Sequence, residues 1–184
     1  RGAMDAGLGP VKVNAVVIRG RNEQEIPALV RLAHEIGFEM RFIEYMPLDS
    51  GRRWEPGLLV PGGEILSRAQ AAVPLRAVGR ADEHSTSETW AFADGSPGRV
   101  GIIAPVTRPF CGACSRLRIT ADGRVRPCLF SLEEFDLRDA MRAGATDDAV
   151  ADRILDAVWT KQPGHGISAP GFRQPERSMS AIGG

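Results

Sequence analysis

The sequence has little cysteine, few aromatic side chains and no excess of charge of either sign. Of its 184 residues, three are cysteine and 6% are aromatic, and basic and acidic residues number 23 each. This balance gives no reason to expect a nucleic-acid or anionic-membrane partner. No apolar run approaches about 18 residues, so we expect no membrane-spanning helix. The first residues lack the apolar core of a secretory signal, and we therefore expect a cytoplasmic protein.

All three cysteines lie in one short stretch, FCGACSRLRITADGRVRPCLF, as Cys111, Cys114 and Cys128. An odd number of cysteines without a secretory signal favours metal ligands or buried thiols over disulfides. Three thiolates are one ligand short of a tetrahedral zinc site, which His84 or His165 would complete. They are equally one short of the four irons of a [4Fe–4S] cluster, whose fourth iron would be open to substrate. The spacing alone leaves zinc, an iron–sulfur cluster and unliganded thiols open.

Basic residues follow the second cysteine directly. In CSRLRIT, Arg116 and Arg118 alternate with Leu117 and Ile119, which predicts both guanidinium groups on one face of a strand. Two forked guanidinium groups suit phosphate oxygens, so a phosphorylated substrate is one interpretation. The alternative is an ordinary strand with one charged face in water.

The first third of the chain predicts a βαβ unit. Residues 11–18 are rich in β-branched side chains and indicate a strand. A helix should follow, with Asn22 as its N-cap, Glu25 as the capping-box partner and Gly37 as its stop. Residues 38–48 read as the next strand. Because a helical crossover pairs strands in parallel, the pattern predicts an α/β fold.

Beyond residue 50 the pattern predicts two hairpins and three further helices. One hairpin turns at Asp94 and Gly95. The second turns at Asp122 and Gly123 and brings Cys128 back toward the first two cysteines. The expected helices cover residues 65–72, 135–142 and 147–161. The remaining tail holds too much Pro and Gly for a regular element.

Four segments carry a resemblance to a known family: GRVGIIAPVTRPFCGACSRLRITADGRVRPCLF, PVKVNAVVIRGRNEQEI, RFIEYMPL and RSMSAIGG. They resemble the C-terminal portion of the GTP 3′,8-cyclase family, the radical S-adenosylmethionine enzymes called molybdenum cofactor biosynthesis protein A. The resemblance implies an α/β fold, namely the last part of an incomplete TIM-like (βα) barrel plus an α+β extension that carries a cluster. Residues 1–50 would be barrel, residues 51–161 the extension and residues 162–184 a flexible Gly-Gly tail.

The resemblance also implies roles for individual residues. A [4Fe–4S] cluster would be held by Cys111, Cys114 and Cys128. GTP would be bound by Lys12, Arg41, Arg116, Leu117 and Arg118, with Leu117 acting through its backbone. Met46 would line the S-adenosylmethionine pocket. Gly183 and Gly184 would reach toward the active site.

The resemblance implies a lyase reaction in which GTP is converted to 3′,8-cyclo-7,8-dihydro-GTP by radical chemistry. Cyclic pyranopterin monophosphate synthase would be the downstream enzyme that acts on this product. The family's C-x3-C-x2-C motif, which holds the cluster that cleaves S-adenosylmethionine, does not occur in this sequence. We therefore expect the isolated chain to be inactive. An incomplete barrel also leaves strand edges unpaired, which favours a homodimer.

Several of these residues have simpler interpretations. Lys12 also fits an exposed strand start, and Met46 fits ordinary core packing. Glu44 stays open between an ion pair and a ligand contact. The C-terminal Gly-Gly also fits a disordered end, or the adenylated end of a ubiquitin-like carrier, although the cysteines and the βαβ pattern argue against a carrier. For the whole chain the alternative is a zinc-binding interaction module with His165 as the fourth ligand.

Overall fold

The structure, a computed structural model, describes residues 1–182, and the chain divides into two compact units. The first unit contains Arg1–Met46 and Glu55–Phe110. The second contains Pro47–Trp54 and the residues from Cys111 onward. The expected division at residues 50 and 161 follows the family resemblance and stays a prediction.

The first unit is built on one five-stranded sheet with the order β1-β2-β5-β4-β3. Its strands are β1 Lys12–Val17, β2 Glu39–Glu44, β3 Leu75–Gly79, β4 Glu88–Phe92 and β5 Arg99–Ile103. β1, β2 and β5 are parallel, whereas β3 and β4 are antiparallel to their neighbours. The α/β class, the βαβ unit and the hairpin between β4 and β5 are therefore confirmed.

Two longer helices complete the first unit, α2 Ile26–Ile36 and α3 Gly62–Ala72, after a single turn of helix, α1, at Gly2–Asp5. They bury the core against the sheet, and its fully enclosed members include Val30, Met40, Phe42, Ile65 and Val100. Burying such side chains stabilises the unit by about 1.5–3 kcal/mol each. Helix and sheet in this unit are thus held mainly by apolar contacts.

The start of α2 differs from the prediction, and its end agrees. Gly37 ends the helix in the left-handed region with a φ of 92°, as expected. The predicted capping box is wrong, because the Asn22 side chain accepts from the Ile18 amide at 2.8 Å and donates to the Val16 carbonyl at 2.9 Å. Asn22 therefore closes the turn after β1, and a 3₁₀ turn, Glu23–Glu25, precedes the helix.

Glu44, at the end of β2, is fully buried at 0% exposure. Its carboxylate accepts from the backbone amides of Gly62 at 2.7 Å, Val106 at 2.8 Å and Thr107 at 3.0 Å, and also from the Thr107 hydroxyl. Gly62 is the first residue of α3, where the helix dipole favours negative charge. Glu44 is therefore a structural anion bound by N–H groups, neither an ion pair nor a ligand contact.

The second unit has a small antiparallel sheet with the order β6-β7-β8. Its strands are β6 Arg118–Ile119, β7 Arg124–Arg126 and β8 Phe135–Asp136, and its helices are α4 Arg138–Arg142 and α5 Asp147–Trp159. The hairpin of β6 and β7 is confirmed. The helix expected over residues 135–142 is wrong in its first part, because Phe135 and Asp136 pair with β7.

The chain after α5 is fixed by specific contacts through residue 182. Arg177 donates to the Asp122 carboxylate at 2.7 Å and to Glu134 at 3.0 Å. The Met179 amide donates to the Leu48 carbonyl at 2.9 Å, and Ile182 is 0% exposed in a final 3₁₀ turn. The expected role of Gly183 and Gly184 falls outside the described residues. Within residues 1–182, no helix has the length and apolar character that crossing a bilayer requires.

We predict that Glu44→Gln lowers the free energy of unfolding by about 2–3 kcal/mol, because an amide NH₂ would replace one oxygen and face N–H donors. Urea unfolding followed by circular dichroism measures this. The matched control is Glu35→Gln, which changes an exposed ion pair with Arg1 and should cost under about 1 kcal/mol. Equal midpoints for the two variants would contradict the role assigned to Glu44.

Candidate functional site

A cavity of about 860 Å³ opens in the first unit at the amino ends of the parallel strands. Lys12, which begins β1, and Arg99, which begins β5, both line it. Arg41, the third residue of β2, lines it as well. The fold thus brings together two of the predicted GTP-binding residues, Lys12 and Arg41, at one cavity.

Arg41 is held in place by its neighbour on the same face of β2. Its Nε donates to the Glu39 carboxylate at 2.6 Å, and the two side chains are 25% and 15% exposed. Gly101 lies opposite Arg41 in β5. A Cβ at Gly101 would come within 3.1 Å of the Arg41 Cγ and would overlap the Ser87 hydroxyl. Glycine at this position therefore leaves room for the arginine to cross the sheet.

The lining of this cavity favours an anion. Three cations, Lys12, Arg41 and Arg99, face one carboxylate, Glu39. Hydroxyl groups add further donors from one wall, namely Ser85, Thr86, Ser87 and Thr89. Charge-assisted hydrogen bonds of this kind are the strong ones for phosphate oxygens. Lys12 is also exposed on the edge strand, so its simpler interpretation is compatible with its position.

The cysteine loop belongs to the second unit. A 3₁₀ turn, Cys111–Ala113, is closed by the Cys114 amide donating to the Cys111 carbonyl at 3.1 Å, as a C-x2-C turn requires. Cys128 follows β7, and its carbonyl accepts from the Ser131 amide at 3.2 Å. The three cysteines are half-buried free thiols.

Arg116 sets the charge of the nearest thiol. Burial raises the pKa of Cys114, but hydrogen bonds from the Arg116 backbone and side chain outweigh it, assisted by the charges of Arg116 and Lys161, so the net pKa is lowered. The Arg116 Nε lies 3.1 Å from the Cys114 Sγ. Lys161 in turn donates to the Arg116 carbonyl at 2.7 Å. Cys114 therefore has more thiolate character than Cys111.

The other two cysteines and Arg118 share this electrostatic environment. Burial raises the pKa of Cys111, a hydrogen bond from the His165 backbone opposes it, and the charges of Cys128 and Cys114 add to the rise. Burial also lowers the pKa of Arg118, as does the charge of Arg116, while Cys114 and Cys128 oppose the change. The predicted arginine pair and the predicted cysteines thus lie in one neighbourhood.

The predicted arrangement of the arginines on one strand face is wrong, because β6 begins only at Arg118 and Arg116 precedes it. Leu117 is half-buried and packs against the apolar core of the second unit formed around Val125 and Leu137. Met46 is half-buried just after β2. Its expected contact with S-adenosylmethionine stays a prediction.

The three thiols do not form a site for a single metal ion. Within residues 1–182, no three His, Cys, Asp or Glu side chains are grouped closely enough for one metal ion. A zinc site needs all its sulfurs about 2.3 Å from a single ion, whereas in a [4Fe–4S] cluster each sulfur binds a different iron. Thiol chemistry, a shared charged environment and half-burial fit the residues that a cluster would use.

The histidines that would complete a zinc site are placed differently. The imidazole Nδ1 of His165 accepts from the Ile167 amide at 3.1 Å, and its ring packs 5.4 Å from that of Phe130. Its contribution to Cys111 comes from the backbone. His84 lines the cavity of the first unit, whereas the cysteines belong to the second.

The sequence analysis missed the residues that hold the functional side chains. Glu39 could have been found, because it lies two positions before Arg41 and side chains on a strand repeat their direction every two residues. Lys161 carried no such signal, because its contact with Arg116 spans 45 residues. Arg99 and Ser87 are likewise brought to the cavity only by the fold.

Comparison with known proteins identifies the family. Residues 38–167 match the model of the family described as Molybdenum Cofactor Synthesis C. The chain belongs to this family. It is 49% identical over 183 residues to a GTP 3′,8-cyclase of Streptomyces coelicolor, covering 99% of this chain and 53% of the relative. The corresponding enzyme of Corynebacterium glutamicum is 47% identical over 186 residues, covering 99% and 49%.

A GTP 3′,8-cyclase of Rhodopirellula baltica is 46% identical over 184 residues, covering 99% of this chain and 51% of the relative. The chain therefore spans about half the length of the curated relatives that it matches. The resemblance found in the sequence to the C-terminal portion of this family of enzymes is confirmed.

We predict that in the reduced, metal-free chain iodoacetamide alkylates Cys114 faster than Cys111 at neutral pH. The reason is that the thiolate is the reactive form and a lowered pKa populates it. Arg116→Gln should slow Cys114 several-fold, as measured by peptide mass spectrometry over time. The control Arg142→Gln, on an exposed part of α4, should leave both rates unchanged. Equal rates at the two cysteines would contradict the assignment.

Proposed function

We propose that this chain is the GTP-binding and [4Fe–4S]-binding portion of a GTP 3′,8-cyclase in molybdenum cofactor biosynthesis. One observation carries the proposal: a loop in which Arg116 and Arg118 share the electrostatic environment of the three cysteines. It occurs in a chain that is similar over 99% of its length to enzymes named GTP 3′,8-cyclase.

The parallel strands β1, β2 and β5 would be the last strands of an incomplete (βα) barrel. Their parallel pairing supports this, as does the helix α2 between the first two. β1 is an edge strand of the sheet, and its Val13 and Val16 are 39% and 42% exposed. Apolar side chains on an open edge are what a further strand would cover.

Cys111, Cys114 and Cys128 would hold the cluster. When bound, a [4Fe–4S] cluster with three cysteine ligands supplies one open iron that can coordinate the purine of GTP. Arg116 already donates to the Cys114 sulfur, and hydrogen bonds to sulfur are one of the protein's means of tuning such a centre. The chain's own contribution is to hold sulfur and charge in place.

The residues assigned to GTP are the basic side chains singled out in the sequence, together with the Leu117 backbone. Lys12 and Arg41 are assigned to triphosphate oxygens, and the pair between Glu39 and Arg41 fixes the direction of the guanidinium. Arg116 and Arg118 are assigned to GTP beside the cluster, with Leu117 contributing its backbone. Fixing both ends of a substrate can bring two reacting carbons into contact, which is how positioning contributes to rate.

The remaining parts of the reaction complete the proposal. In the whole enzyme GTP becomes 3′,8-cyclo-7,8-dihydro-GTP by radical chemistry that uses S-adenosylmethionine, with Met46 lining its pocket and Gly183 and Gly184 reaching the active site. Cyclic pyranopterin monophosphate synthase would act on the product. For the isolated chain, in which a further strand does not cover the edge of β1, the proposal includes a homodimer formed through that edge.

We predict that anaerobic reconstitution with iron and sulfide loads about four irons per chain and gives a broad visible absorption that GTP perturbs. Arg116→Gln with Arg118→Gln should keep the iron and lose the response to GTP. The pair Arg142→Gln and Arg153→Gln, exposed in the same unit, is the charge-matched control. One tightly held zinc that His165→Ala releases would favour the interaction module instead.

We also predict that the chain alone does not cleave S-adenosylmethionine, because its three cysteines are already assigned to the GTP-side cluster. Incubation with dithionite, GTP and S-adenosylmethionine should yield no 5′-deoxyadenosine by chromatography. A full-length relative serves as the positive control. Formation of 5′-deoxyadenosine by the reconstituted 184-residue chain would contradict this part of the proposal.

A further inference from the structure

A second cavity, of about 890 Å³, lies within the second unit. None of the residues assigned to GTP or to the cluster lines it. Its lining contains five arginines, Arg52, Arg124, Arg126, Arg173 and Arg177. The acidic residues of the lining are Glu134 and Glu176, so five positive charges face two negative ones. The lining itself is therefore positively charged, although the chain has no net charge.

Three of the five arginines are fixed by carboxylates. Arg126 pairs with Glu134, and Arg177 reaches the same carboxylate with its Nε at 2.7 Å. Arg177 also pairs with Asp122 at 2.7 Å, and Arg124 reaches Asp136 at 3.4 Å. These pairs hold the guanidinium groups in a rigid wall. Both oxygens of the Glu134 carboxylate are engaged by Arg126 and Arg177, so this carboxylate is not available to the remaining arginines.

Arg126 indicates that this wall is incompletely satisfied. Its side chain is only 3% exposed, and its terminal nitrogens donate to the Ser131 and Leu129 carbonyls as well as to Glu134. Its Nε is buried and has no hydrogen-bond partner among residues 1–182. An unpaired N–H on a buried cation is costly, and native structures keep few of them.

The other two arginines supply the excess charge. Neither Arg52 nor Arg173 pairs with a carboxylate within the described part of the chain, and both are exposed. Arg52 has a φ of 49°, a conformation that non-glycine residues rarely adopt, and its amide donates to the Asp49 carbonyl at 3.2 Å. The Gln174 side chain donates to that carbonyl at 3.3 Å. The segments carrying Arg52 and Arg173 are therefore joined at one point.

We propose that this cavity is a separate anion-binding site that takes a phosphoryl group, with Arg52 and Arg173 as its ligands and the paired arginines as its wall. The forked N–H groups of a guanidinium match the spacing of the oxygens of a phosphoryl group. Arg52, with its rarely adopted backbone conformation, and Arg173 both line this cavity, and an anion bound there would pair with their two charges. The site needs neither the cluster nor the GTP contacts, so it stands independently of the proposed function.

The test is isothermal titration of the 184-residue chain with inorganic pyrophosphate at low salt. The variant Arg52→Asn with Arg173→Gln removes both free charges, and asparagine tolerates a positive φ. We expect this variant to bind at least about tenfold more weakly, because both guanidinium groups that would donate charge-assisted hydrogen bonds to the anion are removed. The dependence of affinity on salt should become shallower, because fewer cations meet the anion.

Two controls separate this site from exposed surface charge and from the arginine pair beside the cysteines. The pair Arg142→Gln and Arg153→Gln makes the same charge change on exposed parts of α4 and α5 and should leave the affinity unchanged. Arg116→Gln with Arg118→Gln should also retain pyrophosphate binding at this cavity. No binding by the unaltered chain, or equal binding by the Arg52 and Arg173 variant, would overturn the proposal.

A second arm identifies the source of the phosphoryl group. GTP is titrated into the Arg116→Gln and Arg118→Gln variant, with and without the changes at Arg52 and Arg173. If the changes at Arg52 and Arg173 weaken the binding of GTP, the site accepts the phosphates of a nucleotide. Unchanged GTP binding together with weakened pyrophosphate binding means that it takes the inorganic anion. Both results support the site. The proposal is contradicted if the changes at Arg52 and Arg173 alter the affinity for neither pyrophosphate nor GTP.

Discussion

The buried carboxylate of Glu44 is the constraint on which the first unit depends. It joins the end of β2, the first turn of α3 and the backbone after β5 at one point. A buried charge is tolerated only when its partners are complete, so these three parts must be in place together. Gly62 contributes in a second way, because a Cβ there would lie 2.8 Å from the Ala104 side chain. Polar compensation and close packing thus meet at the same glycine.

The sequence predicted those elements whose own residues carry the signal. The β1-α2-β2 unit has clear periodicity and a glycine stop. The structure contains both strands, paired in parallel, with the helix between them. β3 was missed because four of its five residues are exposed, so its side chains show no buried face. β8 was read as helix because it has only two residues, Phe135 and Asp136, and its state is decided by pairing with Arg124 and Val125. Tertiary contacts override local propensity in such short segments.

The candidate site divides in the same way. Spacing and resemblance were enough to single out the cysteines and arginines, because their chemistry depends on residue type. The geometry was not available from the sequence, since it rests on distant contacts such as the one between Lys161 and Arg116. Alternation placed Arg116 on a strand face, yet the strand begins two residues later and Arg116 instead donates to Cys114. The arginine nearest the thiol thereby acts on sulfur as well as on any phosphate.

Charge in this chain is distributed locally, which the net value of zero conceals. In the first unit, Glu39 takes up one bond of Arg41 and leaves the cavity with more cations than anions. In the second unit, Glu134 is shared by Arg126 and Arg177, so one carboxylate holds two guanidinium groups. Each acidic residue therefore orients basic side chains without cancelling their sum. A neutral protein can bind anions at such places because affinity follows the local field, and the compensating acidic residues lie elsewhere on its surface.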